Sequence, residues 1–493
     1  MGTQVLVVGA GPVGLTMAAE LARYGVSVRI VDKAAGRSDT SKALVLWSRT
    51  LELLDRAACA DAFLAAGQRV DGANIVAGRK LIAHIGFSSV DSPHPYALML
   101  PQSETERLLE THLHGLGVTV ERQIELVRFA DADADVAIVL RHPDGREETL
   151  SAGWLIGCDG AHSTVRHALG LAFPGKTLRS DWLLADIHMT GLRFPASELA
   201  TFWHQDGVLA VFPISPGRYR VIADLGRSVG AHPADPTLDQ VQAVIDRRGP
   251  GGLVLSDPVW LSAFRINERK VDDYRSGRAF VAGDAAHVHS PAGGQGMNTG
   301  MQDAFNLSWK LALACRGISA AALLDSYSVE RGAVGAQVLA AAGRLTALAV
   351  LKNQTAQTVR NLLAGVLLGL APVRRAMADT LSETSVGYAR SPLNGPSARG
   401  LHGLAPGERM PPVAGQRPVG AGDAPRFALF ALLDDAVSRL LHDHRDLLEP
   451  AVRPPLHDGG VWLVRPDGYV ACVARQDDTR AVGDYLSVLS TPA

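Results

Sequence analysis

The chain has 493 residues, 47% hydrophobic and 20% charged, with a formal net charge of −2. Such a length and composition fit a globular protein of two to four domains. The near-neutral balance excludes a general attraction to nucleic acid or to anionic membranes. The cysteines Cys59, Cys158, Cys315 and Cys472 form no Cys-x-x-Cys pair, so neither a zinc site nor a redox dithiol is expected, and the compartment reads as reducing and cytoplasmic.

The N-terminus enters a strand pattern directly, with no basic segment and apolar signal core. Val5 to Val8 reads as a buried parallel strand. Gly9, Gly11 and Gly14 spell Gly-x-Gly-x-x-Gly, with Pro12 and Val13 between them, and Leu15 to Arg23 reads as a helix. A second strand, Val26 to Val31, ends at Asp32, 18 residues beyond Gly14. Strand, glycine turn, helix, strand and acid in this order are the dinucleotide fingerprint. Gly9 permits the turn, Gly11 lets a pyrophosphate approach the backbone, and Gly14 lets helix and strand pack closely.

Lys42 and Arg49 precede a helix expected at Thr50 to Arg56, and on the residues alone they read as surface cations. Arg69 to His94 suggests strands of an inserted β element. Leu100-Pro101-Gln102 leads into a helix, Ser103 to Leu113, with a capping box at Ser103 and Glu106. Strand pieces follow in Val118 to Phe129, and the runs Val136 to Leu140 and Glu147 to Leu150 flank a Pro143-Asp144-Gly145 turn. Trp154 to Cys158 is another buried strand. It ends at Asp159-Gly160, which fits either the ligand edge of a doubly wound sheet or a plain helix cap. From Pro174 to Val271 short strand-like runs suggest a mainly antiparallel β unit. Its aromatics Phe202, Trp203, Phe212, Tyr219 and Phe264 suit a flat apolar pocket or, for any one of them, ordinary core.

Ala279 to Ala282 is a buried strand, followed by Gly283-Asp284 and a loop containing Pro291, Gly293, Gly294 and Gly296. A helix starts near Met297 or Asn298, with Met301, Ala304, Phe305 and Leu311 at helical spacing. A glycine loop ending at a helix N-terminus suits an anionic ring or a phosphate. His287 and His289 in this stretch read as structural or catalytic. Leu323 to Leu381 is largely helical. Within it, Leu362 to Val373 is too short to span a bilayer and reads as a buried or interface-facing helix. Ser391 to Gly422 is a linker rich in Pro and Gly, and Leu401 onward reads as a small α/β domain.

The fingerprint with Asp32, the Asp159-Gly160 motif and Gly283-Asp284 with its loop together resemble the class A flavoprotein aromatic hydroxylases, the fold group of para-hydroxybenzoate hydroxylase. Arg49-Thr50-Leu51-Glu52, Leu100-Pro101-Gln102, DGAHSTVR at Asp159 to Arg166 and GDAAHVHSPAGGQGMNTGMQDAFNLSWKLA at Gly283 to Ala312 extend the likeness. APGERMPP at Ala405 to Pro412 and LVRPDGYVA at Leu463 to Ala471 look like the subgroup with a thioredoxin-like third domain, which includes phenol hydroxylase-like enzymes, aromatic polyketide hydroxylases and a rifampicin monooxygenase.

The resemblance spans essentially the whole chain and implies an α/β fold with a discontinuous Rossmann-like FAD-binding domain at residues 1–75, 100–173 and 272–390. A β-rich substrate domain would occupy 76–99 and 174–271, and a thioredoxin-like domain without dithiol chemistry 400–493. Gly9, Gly11, Pro12, Val13 and Gly14 would hold the FAD pyrophosphate. Asp32, followed by Lys33, would take the adenosine ribose. Lys42, where relatives usually carry arginine, would stand near the pyrophosphate without the bidentate fork. Gln102 and Asp284 would reach the ribityl or phosphate region, and Asp159 would serve FAD and the passing nicotinamide cofactor. Pro291, Gly294, Gly296, Met297 and Asn298 would wrap the isoalloxazine.

The implied reaction is hydroxylation of a phenolic or polycyclic aromatic substrate. NADPH or NADH is the reductant, O2 the co-substrate and a C4a-hydroperoxyflavin the oxygen donor. A Baeyer–Villiger or decarboxylating oxygenase, an antibiotic-inactivating monooxygenase, a saturating reductase and a non-catalytic flavin-binding protein are the alternatives. No metal, nucleic-acid or membrane partner is implied, and monomer and homodimer both remain open, as does the identity of any catalytic base.

Overall fold

The computed structural model describes residues 2–38, 41–132, 134–227, 230, 233–318 and 321–490. Its first sheet has the order Arg275–Ser276, Ala279–Val281, Trp154–Gly157, Val5–Val8, Val28–Asp32, Glu121–Arg122. Every pairing in it is parallel except the antiparallel outer pair Arg275–Ser276 with Ala279–Val281. Its central strands are continuous apolar runs because helices or strands cover both faces. Helix Pro12–Arg23 and helix Gly296–Cys315 pack together on this sheet. A three-stranded antiparallel meander, Glu125–Ala132, Asp135–Arg141 and Glu147–Ala152, packs against strand Trp154–Gly157 and helix Thr164–Ala168.

The second unit is an eight-stranded sheet. Its order is His287–Val288, Val254–Lys270, Gly175–Thr190, Arg218–Arg227, Gly207–Ser215, Glu198–His204, Gly72–Ala77, Lys80–Gly86. Its pairings are antiparallel apart from Glu198–His204 with Gly72–Ala77. The strand Gly72–Ala77 straddles residue 75, so the chain enters this sheet slightly earlier than the expected boundary. Alternate residues face opposite sides. Leu183, Ala185, Phe202, Val211, Tyr219 and Val221 pack on one face under helix Leu238–Arg248. That helix was not foreseen within the β unit, although Thr237 and Gln240 form the capping box that announces it.

The third unit pairs Ala428–Phe430, Gly460–Val464 and Val470–Arg475 antiparallel. Parallel bridges from Phe427 to Leu448 and from Phe430 to Arg453 bring the chain after helix Asp435–Asp443 alongside the first strand. With helix Arg480–Ser490 this is the expected thioredoxin-like α/β arrangement. The whole is a mixed α/β fold.

Two local expectations fail. No Ser103–Glu106 capping box forms: the helix runs Gln102–Gly115 behind Pro101, the Gln102 N–H donates to Ser41 Oγ (2.6 Å), and Gln102 Nε2 occupies Glu106 (2.9 Å). Leu362 to Val373 is not buried and not one helix, so of the two readings only the outward, interface-facing one stays open. Helices Gln354–Leu367 and Ala371–Leu381 meet there at 100°, broken at Gly369 and Pro372. Leu362, Leu363, Val366 and Leu367 face outward, and the inward face carries the polar Gln357 and Arg360 instead. Those two reach across to Gln205 O and stack on Trp203, respectively.

Candidate functional site

The parallel strands all end on one edge, so the chain places Gly9, Asp32, Asp159 and Gly283-Asp284 together there although they are scattered in sequence. The contacts between them are close. A Cβ on Gly9, whose φ is +100°, would lie 2.4 Å from the Cys158 carbonyl oxygen, and one on Gly14 would lie 1.8 Å from the Gly9 carbonyl oxygen. Val13 fills the space that Gly283 and Gly300 leave open, 2.7 Å from where either would carry a Cβ. At Gly11 a Cβ would meet nothing within 4 Å, so this face of the loop is open to a ligand. Pro12 starts the helix, and its carbonyl accepts from Thr16 Oγ1.

Asp32 accepts from the Ala10 N–H (2.6 Å) and the Ala34 N–H (2.8 Å), which ties the glycine loop to the second strand. Lys33 is exposed. Asp159 accepts from Ser163 Oγ (2.5 Å) and from the Val165 N–H (3.1 Å), so its carboxylate organises the next helix as well as lying at the edge. Gln102 receives the Ala43 N–H (3.2 Å), holding the segment that carries the exposed Lys42. Asp284 is exposed at the carboxyl edge of the sheet. Solvent reaches it, yet the surrounding protein raises its carboxyl, opposed by His287 and Lys42.

The loop after Asp284 turns through Pro291, whose carbonyl accepts from the Gly294 N–H (2.9 Å). Gly294 has φ +64°, and a Cβ there would meet Val45 at 3.0 Å. The helix begins at Gly296, one residue earlier than expected, and Met297 is half-buried. Its first N–H groups have no partner within the helix and carry partial positive charge. Asn298 is fully buried. It accepts from the Trp47 N–H (2.8 Å) and donates to Val45 O (2.8 Å) and Gly294 O (3.0 Å). Trp47 Nε1 in turn donates to Gly293 O (2.9 Å). The Asn298 side chain therefore shapes the cradle from within, tying the helix start to the strand at Val45 and to the Gly294 turn.

Some groups escaped the sequence reading. Asp303 holds the Gly283 N–H (3.0 Å), His287 Nε2 (2.8 Å) and Arg331 Nε (2.6 Å), fixing the Gly283-Asp284 turn from below. An acid two turns into an apolar helix was the available signal. His287 is thus a satisfied structural histidine. His289 Nδ1 donates to Ser290 O (2.8 Å), its buried Nε2 has no partner, and burial lowers it to about 4. Arg49 is not a surface cation, being buried against Glu52 (3.0 Å) and the Asp467 carbonyl (2.7 Å).

The expected pocket aromatics divide by strand alternation. Phe202 and Tyr219 are core under helix Leu238–Arg248. Trp203 and Phe212 lie on the opposite face and pack with Val45, Trp47, Phe87 and Met377. Phe264 packs nearby with Trp182 and Ile266. On this same face Arg220 is clamped to Asp186 (2.7 Å) and donates to Lys42 O (3.0 Å), linking the sheet to the nucleotide edge.

A glycine-lined carboxyl edge, an open loop at Gly11 and a helix N-terminus beneath a glycine cradle fit a flavin dinucleotide, and they define a flavoprotein of the class A aromatic hydroxylase type. Residues 2–342 match the family described as FAD binding domain, and the chain belongs to it. It is 37% identical to 6-methylpretetramide 4-monooxygenase of Streptomyces rimosus, over 99% of this chain and 94% of that one. It is 35% identical to rifampicin monooxygenase of Streptomyces venezuelae, over 78% and 79% of the two chains. The solved structure of an anhydrotetracycline hydroxylase, OxyS, from Streptomyces rimosus superposes with a TM-score of 0.81 at 30% identity, covering 100% of both chains. The chain is an FAD-dependent aromatic monooxygenase.

Proposed function

We propose that this monooxygenase hydroxylates a phenolic or polycyclic aromatic substrate, with NADPH or NADH as reductant and O2 as co-substrate. The observation that carries the reading is the meeting of the glycine cradle with an apolar, aromatic sheet face, joined through Val45, Trp47, Trp203 and Phe212. The named substrates of the related 6-methylpretetramide and rifampicin enzymes favour a large ligand over a small phenol.

In this reading Gly9, Gly11, Pro12, Val13 and Gly14 hold the pyrophosphate, and Asp32 with Lys33 faces the adenosine side. Lys42, Gln102, Asp159 and Asp284 border the chain between the two rings. Pro291, Gly294, Gly296, Met297 and Asn298 surround the isoalloxazine. Bound FAD would supply the redox chemistry, accepting hydride and activating O2 at its C4a position for transfer of one oxygen atom. The protein supplies the rest. The N-terminus of helix Gly296–Cys315 favours negative charge on the ring. The aromatic face orients the substrate and excludes water. The FAD unit comprises 1–75, 100–173 and 272–390 and the substrate unit 76–99 and 174–271, apart from strand Gly72–Ala77, which crosses the first boundary into the substrate sheet, and 400–493 is a structural third domain.

Stopped-flow reduction with NADPH and with NADH, against phenols and polycyclic aromatics, tests the proposal. The expected result is ligand-accelerated reduction and a hydroxylated product bearing one atom from labelled O2. Failure of every aromatic to accelerate reduction, or a ring-expanded or decarboxylated product, overturns it.

A further inference from the structure

Glu383 breaks two local rules at once. Its φ is +59°, the left-handed region that favours glycine. Among the described non-glycine residues with positive φ, Ala58, Gln123 and Asp257 are exposed or half-exposed, and Glu383 alone is buried, at 1% exposure. A strained backbone and a buried carboxyl are each costly, and together they mark a candidate functional position.

The carboxyl reaches the first turns of the cradle helix. Thr299 Oγ1 lies 2.7 Å from one oxygen and Gln302 Nε2 2.5 Å from the other. Gln302 also approaches Thr50 Oγ1 (3.4 Å). The segment around Glu383 is tied to the same cradle, since Gln295 Nε2 donates to Thr380 O (2.8 Å) and the Arg49 N–H to Ser382 O (3.2 Å). The charged groups facing it are Arg331 and Asp303, which pair with each other at 2.6 Å and largely cancel. Burial pushes the Glu383 carboxyl up to about 7, against Thr299, Arg331 and Gln302. The Thr299 hydroxyl can serve both forms, donating to a carboxylate and accepting from a carboxylic acid.

We propose that Glu383 is a positioning residue that sets the charge beneath the N-terminus of the cradle helix and so controls how readily the ring bound there accepts electrons. This rests on the flavin reading above. An ionised carboxylate beside the first turns offsets the positive end of the helix dipole and disfavours an anionic reduced ring. A protonated one leaves that end free.

The test compares full-length wild type, Glu383→Gln and Glu383→Gly. The midpoint potential of bound FAD is followed by dye-coupled reductive titration from pH 5.5 to 8.5, and thermal unfolding is followed over the same range. In wild type, potential against pH should show an added downward step near pH 7, absent in both variants. Between about pH 4.5 and 7 the folded state holds the Glu383 proton more tightly than the unfolded chain does, so wild-type stability relative to Glu383→Gln should fall as pH rises through that window. Glu383→Gly removes the carboxyl and the backbone strain together but leaves Thr299 Oγ1 and Gln302 Nε2 without their acceptor, so its potential, and not its melting temperature, is compared with the other two. An identical potential step in wild type and Glu383→Gln, or none in wild type, overturns the proposal. A chain that binds no FAD but shows the predicted stability difference instead overturns the flavin reading and leaves the titration of Glu383 standing.

Discussion

The nucleotide edge and the seam with the third domain are built by opposite means. At the edge the working material is backbone. Gly9, Gly14 and Gly283 exist to let main chain approach main chain or Val13, and Gly11 to leave room for a ligand. At the seam the working material is long charged side chains, all buried. Arg465 of the third domain binds Glu330 through two bonds (2.6 and 3.0 Å) and Asp467 (2.5 Å). Lys310 and Asn306 of the cradle helix reach the same Glu330 at 2.8 and 2.6 Å. Burial works to raise the Glu330 carboxyl, but Arg465 and Lys310 outweigh it and hold it well below the ordinary range. A second cluster joins Glu52 to Arg49 and Arg409, and Arg56 donates to Pro466 O (2.6 Å). An edge of bare backbone stays open to a ligand, whereas a seam of compensated charges locks its parts in one register.

The contrast is broken most severely at the seam. Arg465→Met strips the cation from Glu330 and Asp467 and should cost about 3–5 kcal/mol of stability, read as a lowered urea midpoint. The fraction still folded should keep its FAD affinity. Loss of FAD at full stability would mean that the seam shapes the binding edge directly.

At the edge the reverse split is expected. Gly294→Val places a branched side chain at φ +64°, against Val45. The backbone term alone is about 1–2 kcal/mol, so FAD should bind roughly tenfold more weakly or worse, with a modest change in the urea midpoint. At Gly296 a Cβ would touch only His289, at 3.6 Å, so Gly296→Val should be milder in an FAD titration. Equal losses at the two positions would contradict this geometry.

The smallest effect concerns His289. Burial lowers it to about 4 from an ordinary 6.5. Between those values the folded protein binds fewer protons than the unfolded chain, so the stability that His289 contributes is present above pH 6.5 and lost as pH falls toward 4. Glu383 works in the opposite sense over part of this range, so the quantity to measure is the difference in melting temperature between wild type and His289→Asn. That difference should shift against wild type on acidification, and a flat difference would mean that the ring is solvated.

The edge was legible in the sequence because its signals are local. Glycine spacing, a strand that stops at an acid and a glycine loop before an apolar helix all lie within a few residues of one another. The seam was not legible: Arg49 and Arg465 stand in motifs that carry the family likeness, but their partners Asp467 O and Glu330 are named only when chain segments hundreds of residues apart meet. The tilt of helix Gln354–Leu367, with Arg360 turned onto Trp203 and leucines turned out, inverts the usual amphipathic rule and could not be read from periodicity. The division of the aromatics followed from strand alternation once the register was known, and register is a tertiary fact.

By itself, then, the sequence determined an FAD-binding α/β chain with a β unit and a third domain, and it determined where the backbone must be bare. The tertiary structure decided which side chains those bare edges leave for other work. It turned Asn298 inward to shape the cradle, made Asp303 the clamp of the Gly283 turn, and set Glu383 beneath the helix N-terminus. Backbone conformation is fixed largely by neighbours in sequence, whereas the partner and charge state of a buried side chain depend on whatever distant segment folds against it.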